Sequence, residues 1–371
     1  MTEIFKPLRA SSKFAICGLP LVGDTHYSCP HNCVYCFAQQ RVIMGKQKNT
    51  REPDFLWLRR KLEEVANEEY EPSDFLAVLL REKITWHVGS MADPFPPAES
   101  MRRYTATLAE LARTHGHSVL FSTKGADLFH WDAYRPDTHT FQISVSHDGR
   151  AEWLEPGAPS VEARSVFFAE LQNQGFRVGI RIQPFVPSIT TADLLDYFPE
   201  ADYYTIEGLK LVPQDTAYAG ALLRQLGLDK KDFTQMGLLN LKPRHRLKLY
   251  QPLIDRLEDN GLPYSISDND LHYISSTPCC CGSPLITKST GFDNTALFHR
   301  NPDYNITDVM ETADPYLSCR ANHLFASNRQ EGCVSVGDFY RQRFNRRSSP
   351  FSKKFMYAFR GKKQKAMEDF E

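Results

Sequence analysis

The stretch D24-T-H-Y-S-C-P-H-N-C-V-Y-C-F-A-Q-Q40 carries Cys29, Cys33 and Cys36 in a C-x3-C-x2-C spacing, with His31, Tyr35 and Phe37 among them. Three thiols on one short loop call for a chemical account. A closed zinc site needs four ligands. The only nearby candidates for a fourth are His26 and His31, and no second C-x2-C pair follows at zinc-ribbon spacing. A [4Fe–4S] cube held by three thiolates leaves one iron open, and a short loop can bring each sulfur to a separate corner. A structural zinc or unligated thiols are the alternatives.

Around this loop the chain is ordinary for a globular protein. It has 371 residues, 42% apolar and 24% charged, with a net charge of -1. No run of 18 apolar residues predicts a membrane helix. The opening MTEIFKPLRASSKF has no apolar core of a signal peptide, so the expected location is cytoplasmic, where disulfides are uncommon. Nine cysteines, an odd number unevenly clustered, point to metal ligands over a disulfide framework.

Downstream, short apolar runs alternate with amphipathic segments. ITWHVGS (84–90), SVLFSTK (118–124), TFQISVS (140–146), RVGIRIQPFV (177–186), YYTIEGLKLV (203–212) and PYSISDND (263–270) read as buried strands. Met101, Tyr104, Leu108 and Leu111 mark one face of a helix, as do Leu247, Tyr250, Ile254 and Leu257. The second helix is expected to kink at Pro252 and stop at Asn260-Gly261. Such βα units predict an α/β fold with a parallel sheet, five or six units long, closing into a barrel or part of one. After about residue 290 the rhythm fades.

C-x3-C-x2-C with an aromatic before the third cysteine resembles the radical S-adenosylmethionine (SAM) superfamily. The resemblance implies a partial (β/α)6 TIM-like barrel over 25–275, preceded by an N-terminal segment 1–24 and followed by a cysteine-containing extension 276–340 and a tail 341–371. It implies that Cys29, Cys33 and Cys36 hold a [4Fe–4S] cluster whose open iron chelates SAM. An electron from a donor such as flavodoxin or ferredoxin then cleaves SAM to methionine and a 5′-deoxyadenosyl radical. CPHNCVYCFAQ, DPFPPAE (93–99), STKG (122–125), SVSHD (144–148) and RIQPFVPSI (181–189) resemble the spore photoproduct lyase-related branch over roughly 25–275.

Carried residue by residue, the resemblance puts GSMAD (89–93) at SAM's amino group, with Gly89, Ser90 and Asp93 as candidates. The acidic GGE form usual in the family is absent. Ser144 and Ser146 are candidates for the ribose, Arg181 for SAM's carboxylate through bidentate geometry, and Tyr35 for packing near adenine. The bland counterparts are a tight turn, strand-end caps and an ion pair.

Cys279, Cys280 and Cys281, with Cys319 and Cys333, form a second cysteine group. Four readings stand: an auxiliary iron–sulfur cluster, a zinc site, a redox or hydrogen-donating thiol such as Cys281, or no role. Asp268, Asn269, Asp270 and His272 fall at a strand end, where substrate-binding and catalytic groups of parallel barrels gather. A self-capping surface turn is the alternative.

The tail carries Arg341, Arg343, Arg346, Arg347, Lys353, Lys354, Arg360, Lys362, Lys363 and Lys365 without an acid up to that point, interleaved with Phe344, Phe351, Phe355, Tyr357 and Phe359. Cations with rings suit a nucleic acid or nucleotide; a solvated terminus is the plain alternative. Hydrogen abstraction from nucleic acid is therefore the expected activity. Modification of a peptide or protein residue and a non-catalytic iron–sulfur sensor are the competitors. The oligomeric state is left open.

Overall fold

The computed structural model describes residues 3–11, 17–26, 28–36, 38, 51–212, 216–236, 238–268, 270–277, 279, 281, 285, 288–289, 310–311, 313–320 and 334–338. Asn269, Cys280, Cys333 and the basic tail, singled out above, lie outside them.

Eight strands form the main sheet. In chain order they are β1 (Leu8–Ala10), β2 (Leu21–Gly23), β3 (Trp86–Val88), β4 (Val119–Thr123), β5 (His139–Val145), β6 (Val178–Phe185), β7 (Tyr203–Gly208) and β8 (Tyr264–Ile266). Their order in space is their order in sequence. Only β1 runs antiparallel to its neighbour; β2 to β8 are parallel throughout. Among the described residues β1 and β8 do not pair, so this is the expected partial barrel, one parallel strand longer than six.

Helices α1 (Phe55–Ala66), α2 (Phe75–Arg81), α3 (Glu99–Thr114), α4 (Val161–Asn173) and α6 (Pro243–Asp259) cover its outer face, while α5 (Thr216–Gln225) packs in a separate cluster. Asp54, Asp74 and Ser160 cap α1, α2 and α4 through side-chain acceptors for first-turn N–H groups. The helix α6 runs through Pro252 and stops at Asn260, where Gly261 turns left-handed. Two crossovers carry short 3-10 turns, Trp131–Ala133 and Ala192–Tyr197, where a helix was expected from the alternation. After β7 the chain leaves the sheet. Lys210–Leu211, Phe233–Met236 and Leu238–Leu241 make a small antiparallel sheet. It carries Leu211, Leu239 and Leu241 into a separate apolar cluster that also takes Cys33 and Tyr35 of the cysteine loop.

The period-two alternation of the strands decides what faces the interior. Trp86, Val88, Phe121, Ile143, Ile180 and Ile206 belong to the large apolar core. The residues between them, His87, Ser122, Gln142, Arg181 and Thr205, point the other way and hydrogen-bond across the strands. His87 Nε2 lies 2.8 Å from Ser122 Oγ, which donates to Gln142 Oε1 at 3.2 Å. Gln142 Nε2 donates to Thr205 at 3.3 Å, and Arg181 donates to Gln142 Oε1 at 3.4 Å. A barrel lined with such groups can hold a polar molecule.

Candidate active site

A cavity of about 430 Å³ occupies this interior. At the C-terminal ends of the strands it is lined by Cys29, Cys33, Cys36 and Tyr35; at mid-height by His87, Ser122 and Arg181; and lower down by Cys17 and Cys281. The loop after β2 therefore delivers its three thiols to the end of a parallel sheet where active sites form.

Burial pushes the Cys29 thiol up to about 12, and the Asp93 charge adds to this. Burial raises Cys33 as well, against the pull of the Lys124 ammonium. Buried thiols of this kind keep their protons unless a cation takes them. A cationic iron–sulfur cube supplies that charge, so the donor set fits the group. Among the described residues no three His, Cys, Asp or Glu side chains meet around a point suited to a single ion; a cube instead needs its thiolates spread to separate corners. His31 does not supply a fourth ligand. Its Nδ1 lies 2.9 Å from Gly157 O, and its Nε2 faces Asp93 Oδ2 at 3.3 Å. His26 Nδ1 pairs with Thr25 Oγ1 at 3.1 Å.

The GSMAD turn wraps the same cavity, with Gly89, Ser90 and Asp93 on its wall. Gly89 has φ +98°, and a Cβ there would lie 2.2 Å from Ser122 O, so only glycine lets this turn lie against β4. Asp24, at the end of β2, accepts from Met91 N at 3.0 Å and Ala92 N at 3.3 Å and fixes the turn from below. The Asp93 carboxylate is occupied by the protein itself. It accepts from Thr123 Oγ1 at 2.6 Å, Phe95 N at 3.0 Å and Lys124 N at 2.5 Å, and faces His31. Burial opposes its charge, but His31 and these donors outweigh it and hold the group at about 2. Its carboxylate ties the cysteine loop to β4.

Ser144 and Arg181 line the cavity. Arg181 bonds Gln183 and Gln142 and faces Glu207 Oε2 at 3.6 Å. Ser146 lies behind the wall, fully buried, bonded to Tyr35 Oη at 3.0 Å and to Glu155. Asp268 and Asp270 are joined by one guanidinium: Arg246 contacts Asp268 at 2.9 Å and Asp270 at 2.6 Å. Asp268 also accepts from Tyr250 Oη at 2.7 Å and Gly208 N at 3.0 Å. Its carboxylate braces β7 against α6, and Lys210, 3.5 Å away, reaches the cavity beside it. His272 is fully buried, with Nδ1 2.6 Å from Ile266 O.

The second cysteine group is divided. Cys279 and Cys281 join Cys17 in a cluster with Leu19, Leu120, Tyr203 and Leu285 at the N-terminal ends of the strands. Thr140 donates to Leu285 O at 2.9 Å, and Thr85 N donates to Lys288 O at 3.0 Å, so this segment passes under the barrel. Cys319 stands on the outer face with Phe75 and Tyr316, in the large core; burial raises its thiol to about 11.

Sequence reasoning missed Lys124, Glu155, Glu207 and Arg246. Glu207, a charge inside the apolar run YYTIEG, carries the same signal that singled out Arg181. Glu155, one acid in a loop, carries none.

Comparison with solved structures returns the same fold. A spore photoproduct lyase variant aligns with a TM-score of 0.53 and 13% identity over 70% of this chain and 78% of that one. Spore photoproduct lyase complexed with dinucleoside spore photoproduct aligns at 0.51 and 14% over 71% and 80%. A doubly substituted form with bound AdoMet and dinucleoside spore photoproduct aligns at 0.50 and 14% over 67% and 76%. Identity this low establishes the fold alone. No family model and no curated protein matches the sequence.

Proposed function

We propose that this chain is a radical SAM enzyme. The observation that carries the reading is the convergence of Cys29, Cys33 and Cys36, from one loop, on the cavity that the GSMAD turn, Ser144 and Arg181 also line. When bound, the cluster supplies the electron that cleaves SAM to methionine and a 5′-deoxyadenosyl radical. The chain's own residues bind and orient. Arg181 takes SAM's carboxylate by its guanidinium fork, exchanging its contact with Glu207 for the ligand. Ser144 meets the ribose, and the turn at Gly89 and Ser90 offers backbone carbonyls to the ammonium. Asp93 acts from behind by fixing that turn and His31. The polar belt His87, Ser122 and Gln142 orders whatever enters below SAM.

The substrate is a nucleic acid or nucleotide on this reading. Two things support it: the interleaved cations and rings of 341–365, and the dinucleoside held by spore photoproduct lyase, which shares the fold. A small electron-carrier protein supplies the reductant. Anaerobically reconstituted, reduced protein is expected to convert SAM to methionine and 5′-deoxyadenosine. Deuterium transfer from a labelled oligonucleotide into 5′-deoxyadenosine identifies the substrate class. A reconstituted protein that binds iron and sulfide but leaves SAM intact overturns the enzymatic reading.

A further inference from the structure

Eight residues of cysteine loop, Cys29 to Cys36, contain no regular helix or strand of their own. Something else must hold three thiols in one arrangement, since ordering a loop costs about 1–2 kcal/mol of entropy per residue. The holding segment is Leu154–Gly157, in the crossover after β5. Val34 N donates to Leu154 O at 2.8 Å, and Gly157 N donates to His31 O at 2.9 Å. His31 Nδ1 returns to Gly157 O at 2.9 Å. A Cβ on Gly157 would lie 2.3 Å from Pro30 O and 3.0 Å from His31 Cα, so the two backbones meet with no room for a side chain.

Between these backbone links sits one carboxylate. Glu155 is 3% exposed and accepts hydrogen bonds from Tyr35 Oη and Ser146 Oγ. Two cations neutralise it, Arg164 at 2.7 Å and Lys124 at 3.1 Å. Both are anchored elsewhere. Arg164, fully buried on α4, also donates to Ser144 O at 2.7 Å, and Lys124 donates to Gln183 O at 3.3 Å. The Lys124 ammonium also lies over the Tyr35 ring, 5.6 Å from its centroid. The hydroxyl of Tyr35 thus plugs the loop into a charged socket built from β4, β5, β6 and α4, beside the separate anchor that His31 makes with Asp93.

We propose that Glu155 is the positioning residue of the cysteine loop, acting through Tyr35 to hold Cys33 and Cys36 where a cluster needs them. It touches neither thiol. The idea rests on the radical SAM reading for the identity of the bound group, but the loop's order is measurable without any metal.

Two readouts test it. In metal-free protein, hydrogen–deuterium exchange of the peptide covering Cys29–Tyr35 is expected to quicken about tenfold in Tyr35→Phe, the loss of one hydrogen bond to a charged group. Glu155→Gln keeps the shape and removes the charge, leaving Lys124 and Arg164 without their counter-ion; it is expected to quicken exchange further. In reconstituted protein, iron release to a chelator is expected to rise in the same order. The double variant is expected to release iron no faster than Glu155→Gln alone, because both act through one contact. Should Glu155→Gln fail to fold, Tyr35→Phe keeps the ion pairs and decides the matter. Exchange and iron release unchanged in a folded Tyr35→Phe, or additive effects in the double variant, overturn the proposal. Wild type that shows the exchange difference but takes up no iron instead overturns the radical SAM reading and leaves the positioning role standing.

Discussion

The two ends of this barrel both carry cysteines, and they are built differently. At the C-terminal ends of the strands, Cys29, Cys33 and Cys36 sit on one irregular loop tied down by ion pairs and backbone links. At the N-terminal ends, Cys17, Cys279 and Cys281 pack among Leu19, Leu120 and Leu285. One set is held by directional polar contacts that fix the loop's geometry. The other packs in an apolar cluster, where burial is non-directional and roughly proportional to area, with Leu19 N donating to Cys17 Sγ at 3.4 Å. Thiols in the first setting are placed for coordination on the proposed reading. Thiols in the second sit among apolar side chains, with Cys17 and Cys281 reaching the lower end of the cavity.

Substitutions at the two ends should therefore separate chemistry from stability. The largest effect is expected from Cys33→Ala, which should abolish cluster binding and SAM cleavage together. Cys281→Ser at the floor should retain full iron and sulfide content under the same anaerobic reconstitution. Equal losses in both would erase the distinction between the ends.

Next in size is Leu285→Ala, at a side chain 1% exposed in the floor. Chemical denaturation should register a loss of about 2–5 kcal/mol, from lost transfer energy and the cavity left behind. Iron content per folded molecule should not change.

A smaller effect is expected midway up. Arg181→Lys keeps the charge and loses the fork. SAM affinity, read by equilibrium binding to the reconstituted protein, should fall about tenfold while the cluster stays. Unchanged affinity in the folded variant removes Arg181 from the SAM site.

The smallest, counted per pH unit, is a pH effect where His117 packs on Trp86 of the large core. His117, 1% exposed, has both ring nitrogens without partners and packs 5.0 Å from Trp86. Burial, with Lys83 adding to it, lowers this imidazole to about 3 from 6.5. The unfolded chain then binds the proton first, so stability is unaffected above about pH 6.5 and declines as pH falls towards 3. The slope approaches about 1.4 kcal/mol per pH unit from this group. His117→Phe should flatten that part of a denaturation-versus-pH curve, and a curve of unchanged slope would deny the group its part.

Much of this was legible in the sequence, and the rest was hidden for physical reasons. The six strands from 84 onward announced themselves as short apolar runs between amphipathic segments. β2 did not, since Leu21-Val22-Gly23 stands before the βα rhythm begins. Cys29, Cys33 and Cys36 were readable from spacing, and Arg181 from a charge set in an apolar strand. The cysteines after 275 looked like one group because all five fall after the expected end of the barrel. Their side chains face different layers, Cys281 the interior and Cys319 the outer core. Asp268 was legible as important, but its partner Arg246 lies on another element, and only tertiary contact turns a candidate catalytic acid into a buried brace. Glu155 was invisible for the same reason, since its partners come from four separate stretches of chain.

The account stands on the C-terminal end holding a cluster with one open position for SAM. Electron paramagnetic resonance of the reduced, anaerobically reconstituted protein, recorded with and without SAM, tests this most directly. The account predicts a [4Fe–4S] signal that changes shape when SAM is added, in wild type and in Cys281→Ser alike. A signal indifferent to SAM, or one that survives in Cys33→Ala, would contradict it.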